Sequence, residues 1–411
     1  MDTSVYCRQG PKSIAAIKTR GVLSGYRFVF KDVFDVQGYV TGAGNPTWLM
    51  SHEPALHTSP IITQLLIQGA HCSGRVQSSE LACGFDGMNT HYGTAINHLA
   101  PKCQSGGSSS CSAAVARGDG DFALGIDAAG EIRISASYCG LFGLRATYAA
   151  LPLDHSFSLA KSFDTAGLLT RNLTVMSNVV TSLFREQPPV DQFEDVFIFV
   201  EKRALELMDS EVKEELTNKL NRLARNRYVV STDSLLDICE VSLEELAEWF
   251  SIIQGYELIQ EHSEWLAEHQ SAVTKDVSRR FDKSKNISID EYVEAKQKMA
   301  NFSTLFIYLL KSKGGWLCLP TTPGLPPELK QSVNSLIYYR KRLLGLTALA
   351  SLCGLPQLHL PLGKINGKSY GLSLIGMPNS EKKLIKQGQY LLQSLAVNES
   401  VNSKSWLNNK L

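Results

Sequence analysis

The sequence has almost no net charge, no closely paired cysteines and no long apolar run. Lys and Arg number 41 against 40 Asp and Glu, a formal net charge of +1. No field of one sign is therefore present to attract nucleic acid or acidic lipid, and neither partner is expected. The nine cysteines include no C-x-x-C and no Cys/His spacing that suits zinc, so no metal site is expected. An odd, scattered set fits a reducing compartment rather than a disulfide scaffold, and a cytoplasmic location is the expectation. Met1 to Arg20 holds no apolar run, so neither a signal peptide nor a membrane anchor is expected there. No internal repeat or linker interrupts the chain. What is present is bulk. With 411 residues, 44% of them hydrophobic, the chain can bury a large core in one unit.

The stretch from Gln104 to Tyr148 stands out. It opens with Gly106-Gly107-Ser108-Ser109-Ser110, passes through Gly125-Ile126-Asp127-Ala128-Ala129-Gly130-Glu131-Ile132-Arg133, and closes with Cys139-Gly140-Leu141-Phe142-Gly143-Leu144-Arg145. Glycine permits close backbone approach. Successive N–H groups in such turns can point at an anion, and serine supplies hydroxyls for attack or proton relay. By composition alone the Gly/Ser run reads more readily as a flexible loop than as a catalytic site.

In this order the segments closely resemble the amidase signature family of serine hydrolases. That family carries a Gly-Gly-Ser-Ser-rich loop, a Gly-Thr-Asp-Thr-Gly-Gly-Ser-Ile-Arg segment and a Cys-Gly-x-x-Gly segment. It hydrolyses carboxamides with a Ser–(cis-Ser)–Lys triad. The resemblance implies Lys31, in Phe30-Lys31-Asp32, as the lysine and Ser108 as the bridging cis serine. The nucleophile position falls on Glu131, so the catalytic serine is replaced. The preceding Gly-Gly reads Ala129-Gly130, the Thr reads Ala128, and the interval from Ser108 to Asp127 is one residue short of the usual pattern. The family's oxyanion hole maps to the backbone of Ala128, Ala129 and Gly130, and substrate contacts to Trp48 and Ser109. No cofactor is implied. The resemblance spans Gly21 to Leu395. Within the family the chain is similar to indole-3-acetamide hydrolases and to the amidase-like domain of a chloroplast envelope import receptor.

The rest of the chain fits an α/β protein of the amidase signature fold: a large mixed β-sheet with helices on both faces. Tyr26 to Phe30, Phe122 to Ile126, Val196 to Val200 and Trp316 to Pro320 read as strands. Gly38 to Trp48 reads as a loop, Ser59-Pro60 as a helix start, Leu173 to Phe184 and Leu343 to Leu352 as helices, and Pro188-Pro189 as a break. Ser242-x-x-Glu245 and Ser288-x-x-Glu291 are capping boxes. The expected organisation is an N-terminal segment 1–20, a single amidase-like domain 21–397 with a helical insert region 201–313, and a frayed polar tail 398–411. His91 and His98 read as polar loop residues, and Cys111 as a small buried thiol.

A carboxylate in place of the hydroxyl opposes the parental chemistry. It should hold Lys31 as an ammonium, which has no lone pair, and repel an oxyanion. Three expectations follow. The first is a pseudo-amidase with a Lys31–Ser108–Glu131 network joined by a Lys31–Glu131 ion pair, retained to bind a ligand or partner. The second is an amidohydrolase of altered chemistry, in which Glu131 activates water or Cys111 attacks. The third is a non-enzymatic interaction module. A small amide is the expected substrate or ligand, and a protein partner or homodimer stays open.

Overall fold

The computed structural model describes residues 4–184, 186–187, 197–224, 229–314 and 316–407. The expected break at Pro188-Pro189 and the first residue of the strand expected at Val196 lie outside them.

The strands are β1 (Arg27–Lys31), β2 (His71–Val76), β3 (Phe122–Ile126), β4 (Phe142–Arg145), β5 (Ala166–Thr170), β6 (Phe197–Glu201), β7 (Val229–Asp233), β8 (Trp316–Pro320), β9 (Gln357–Ile365) and β10 (Lys368–Ile375). They form one ten-stranded sheet in the order β2-β1-β3-β5-β4-β9-β10-β8-β6-β7. The two ends are parallel: β1 pairs with β2 and β3, and β6 with β7 and β8. The middle, from β3 through β5, β4, β9 and β10 to β8, is antiparallel. The sheet is therefore mixed.

Side chains alternate across a strand, and here the alternation divides the core in two. Phe28, Phe30, Phe122, Leu124 and Leu168 enter a large apolar cluster, while Val29, Ala123 and Leu169 enter a smaller one. Both faces are thus covered. The helices are α1 (Pro46–Ser51), α2 (Pro60–Ile67), α3 (Ser109–Arg117), α4 (Glu131–Cys139), α5 (Leu173–Leu183), α6 (Lys202–Glu206), α7 (Ser210–Ala224), α8 (Leu235–Ile238), α9 (Leu243–Glu268), α10 (Lys275–Ser284), α11 (Ile289–Ser312), α12 (Val333–Leu352) and α13 (Glu381–Leu407). α3 and α4 contribute Cys111, Val115, Ile132 and Ala136 to the smaller cluster. α2, α5 and α9 contribute Leu65, Val179 and Phe250 to the larger. Burial of a side chain such as Phe250, stacked at 4.3 Å on Phe163, stabilises by about 2–3 kcal/mol.

Several boundaries differ from the sequence reading. The stretch read as a loop to Trp48 ends in α1, because the Asn45 side chain accepts from the N–H groups of Thr47 and Trp48 and Pro46 opens the helix. α12 starts at Val333 rather than Leu343, with Ser332 as its cap. The insert region also supplies β7 to the sheet edge, a strand whose Ser231 and Thr232 gave no apolar alternation. Residues 398–407, expected as a frayed tail, continue α13. No Gly or Pro after Gly388 interrupts its backbone hydrogen bonds. Both capping boxes form, at Ser242/Glu245 and Ser288/Glu291.

Candidate active site

Lys31 is the last residue of β1 and is 1% exposed. Its Nζ donates to the carbonyl of Gly107 at 3.2 Å. Burial pushes its pKa below the ordinary lysine value, and Glu131 is the largest influence in the other direction. The sequence argument expected the carboxylate to decide this balance. Desolvation of a wholly enclosed ammonium outweighs it.

Gly107 belongs to the loop that feeds α3. A Cβ there would lie 2.3 Å from the Gly84 carbonyl oxygen and 2.9 Å from Glu131 Cγ, so only glycine fits between them. The Ser108 N–H donates to Ser135 Oγ at 2.8 Å. Ser108 Oγ is buried and has no hydrogen-bond partner, so it bridges nothing to Lys31. Gly10–Pro11 is the only cis peptide bond among the described residues; the bond before Ser108 is trans, not cis as the resemblance implied. Ser109 Oγ donates to the Gly87 carbonyl at 2.8 Å. Cys111 is fully buried on α3, and burial pushes its thiol up to about 12, so it stays protonated.

β3 delivers Asp127, and a tight turn leads into α4 at Glu131. Gly130 takes φ 111°, a conformation open to glycine, with Thr347 packed against it. The turn is held from beneath. Arg133 grips Asp127 at 2.7 Å and reaches the Thr347 carbonyl at 2.9 Å and Gln357 Oε1 at 2.6 Å. Arg145 donates to the Asp127 carbonyl oxygen and, at 3.1 Å, to that of Phe163. Ser351 Oγ donates to the Ala128 carbonyl at 2.7 Å. Burial opposes the Asp127 charge, but the two guanidiniums hold its carboxyl below the usual range.

The N–H groups of Ala128 and Ala129 converge on one atom, Glu131 Oε2, at 2.9 and 3.0 Å. The carboxyl group thus folds back onto the amides that precede it and occupies the position expected for an oxyanion. Glu131 is 4% exposed; burial and then Asp127 raise its pKa. Among the described residues no ion pair joins Lys31 to Glu131; each is bonded to backbone instead. The expected network therefore differs in its wiring. The backbone amides of Ala128 and Ala129 are the better-placed donors.

Trp48 sits on α1. Its ring meets His52 at 3.9 Å, Trp265 at 5.0 Å, Phe157 at 5.1 Å and His262 at 5.5 Å, an aromatic cluster that seats α9 against α1. His91 Nε2 bonds Glu80 at 2.7 Å and His98 is exposed. The sequence reading missed Thr347, Ser351 and Gln357, which support the turn, and Ser135, which holds the Gly-Ser loop at Ser108. Their signals are single polar residues in apolar surroundings, legible only once the chain is folded.

Two buried groups near the sheet have shifts that make stability depend on pH. Asp164 Oδ2 accepts from the N–H groups of Leu159 and Ala160 at 2.9 and 3.0 Å, while Oδ1 is buried without a partner. Burial pushes its pKa up to about 7. Burial pushes His359, bonded through Nδ1 to Thr321 Oγ1 at 2.6 Å, down to about 3. Asp164 favours folding below its unfolded pKa, and that contribution is lost as pH rises towards 7. His359 favours folding above its unfolded pKa, and that contribution is lost as pH falls towards 3. Each is worth a few kcal/mol, and across pH ~4 to ~6.5 they oppose one another. Denaturant titrations should show Asp164→Asn gaining on the native protein as pH rises through that window, and His359→Gln losing ground. Parallel responses of the two variants would contradict both assignments.

The fold and the Gly-Ser loop, lysine and amide turn define a carbon–nitrogen hydrolase architecture. The Amidase family pattern matches residues 7–385, and the chain belongs to that family. It is 32% identical over 409 residues to Amidase 1 of Oryza sativa subsp. japonica, covering 93% of each chain. It is 29% identical over 423 residues to Outer envelope protein 64, chloroplastic, of Arabidopsis thaliana, covering 95% of this chain and 70% of the relative. A solved amidase crystal structure superposes with a TM-score of 0.82 at 27% identity, covering 91% of this chain and 85% of that one. No helix among the described residues is long and apolar enough to cross a membrane.

Proposed function

We propose that this chain is a pseudo-amidase: an amide-hydrolase fold whose Ser–Ser–Lys-type centre has lost its nucleophile at Glu131 and is closed by that residue. The observation that carries the reading is the pair of hydrogen bonds from Ala128 and Ala129 to Glu131 Oε2. An amide substrate must place its carbonyl oxygen on such donors to be attacked. Here the donors already hold an oxygen that is covalently tethered and so present at very high effective concentration. No hydroxyl stands at the nucleophile position, Ser108 Oγ makes no hydrogen bond, and the Cys111 thiol is buried and protonated. The retained fold then serves to bind a small amide-like ligand or a protein partner.

The test is hydrolysis of an amide panel containing indole-3-acetamide and simple aryl and aliphatic amides, with a serine-reactive fluorophosphonate alongside. The native protein is expected to show neither turnover nor labelling. Turnover that survives Ser108→Ala and Cys111→Ala but is abolished by Glu131→Gln would overturn the reading and assign water activation to Glu131.

A further inference from the structure

The centre is enclosed from above by one short segment, Cys83–Met88. Its Gly84 carbonyl oxygen presses on Gly107, lying 2.3 Å from where a Cβ would sit, and its Gly87 carbonyl accepts from Ser109 Oγ at 2.8 Å. Phe85, between them, is half-buried against both apolar clusters. Beneath the segment Lys31, Ser108, Ser109 and Glu131 are all buried.

Both ends of the segment are anchored. Ser79 Oγ accepts from the Gly84 N–H at 3.1 Å. Asn89 Nδ2 donates to the carbonyls of Gly44 and Ser78 at 2.8 and 2.9 Å, and Asn89 Oδ1 accepts from the N–H of His91 at 2.8 Å. The approach to the segment is strained. Leu81 (φ 47°, ψ 34°) and Ala82 (φ 56°) are consecutive non-glycine residues in the left-handed region. Such strain persists only while surrounding contacts hold it, so the backbone there gains by relaxing when the contacts are released.

Two contacts from distant helices hold the segment down. Arg280 on α10 donates to the Cys83 carbonyl at 3.0 Å. Arg340 on α12 pairs with Asp86 at 2.5 Å, at a partly exposed position. Asp86 also accepts from the Met88 N–H at 3.0 Å, which stiffens the turn that presents it.

We propose that Cys83–Met88 is a lid over the Glu131 centre and that the Asp86–Arg340 pair is its latch. The inference rests on the pseudo-amidase reading only in taking that centre as a site with something to admit. Release of the latch lets the segment lift, takes Gly84 off Gly107, and exposes the Gly-Ser loop and the amides of Ala128 and Ala129. Because the pair is partly exposed, it responds to salt.

Hydrogen exchange on the full chain tests this without relying on activity. In Asp86→Asn and Arg340→Gln, exchange at peptides covering Gly106–Ser109 and Asp127–Gly130 should rise about threefold, the scale of one exposed ion pair. The double variant should add nothing further, and high salt should raise the native protein towards the variants. Peptides from β9 and β10 should be unchanged. Unchanged exchange at those two segments would overturn the proposal. So would equal acceleration throughout the sheet, which would make the pair a general stabiliser. Amide turnover by the native protein would sink the pseudo-amidase reading and leave this result standing; flat exchange would sink the lid and leave that reading standing.

Discussion

Arg133→Met is expected to cost the fold about 3–5 kcal/mol, because it leaves a buried carboxylate short of its partner. The Arg133 side chain is fully enclosed and makes hydrogen bonds to Asp127, Thr347, Gln357 and Ser351. Methionine fills much of the volume and supplies none of the donors. Arg145 remains against Asp127 but is already engaged with the Asp127 and Phe163 carbonyls. The Thr347 carbonyl and Gln357 Oε1 each lose a charged donor, and a buried acceptor without a partner is itself costly. Asp127→Asn should be comparably damaging, since it leaves two guanidiniums together in the core. Urea denaturation read by two spectroscopic probes measures the loss. Arg203→Met is the control: Arg203 pairs with Glu206 and Asp237 in solvent, and its loss should hardly move the midpoint. Equal effects of the two arginine variants would show that the Asp127 cluster does not hold the turn.

Glu131→Ser should produce fluorophosphonate labelling where the native protein shows none. The change removes the carboxyl group bonded to the Ala128 and Ala129 amides and places a hydroxyl at the proposed nucleophile position. The turn should persist although it loses the two bonds from Ala128 and Ala129 to Glu131, because Asp127, Arg133, Arg145 and Ser351 still hold it. Burial also holds Lys31 below its ordinary pKa, the direction a general base requires. Turnover of amides should nevertheless stay about 10²–10⁴-fold below that of an amidase with a complete relay, the usual worth of a missing acid–base relay. The reason is geometric. Ser108 Oγ has no partner, and Lys31 is bonded to the Gly107 carbonyl instead. Turnover at the level of such an amidase would mean that the relay assembles once the carboxylate is gone. Absence of labelling would mean that the hole closes without its glutamate.

These two experiments probe different parts of the molecule, and the sequence prepares for them unequally. The Gly-Ser loop, the Asp127–Arg133 segment and the Cys139–Gly143 segment were legible through their resemblance, in that order, to the amidase signature family. Strands such as β1 and β3 and the capping boxes at Ser242 and Ser288 were legible because their periodicity or their partners lie within a few residues. β7 was not, because a strand at the sheet edge with Ser231 and Thr232 shows no apolar alternation. α1 hid in a glycine-rich run, where only Asn45-Pro46 marked its start.

By itself, then, the sequence determined the family and the mixed sheet with its two covered faces. Residue order is enough for each. Only the tertiary structure decided what Glu131 does. Sequence electrostatics paired it with Lys31, the nearest opposite charge in prospect. The fold instead turned its carboxyl onto the N–H groups of Ala128 and Ala129 and lodged the Lys31 ammonium on a carbonyl. The physical reason is that burial penalises both charges, while backbone donors and acceptors already fixed by the turn satisfy each group where it lies.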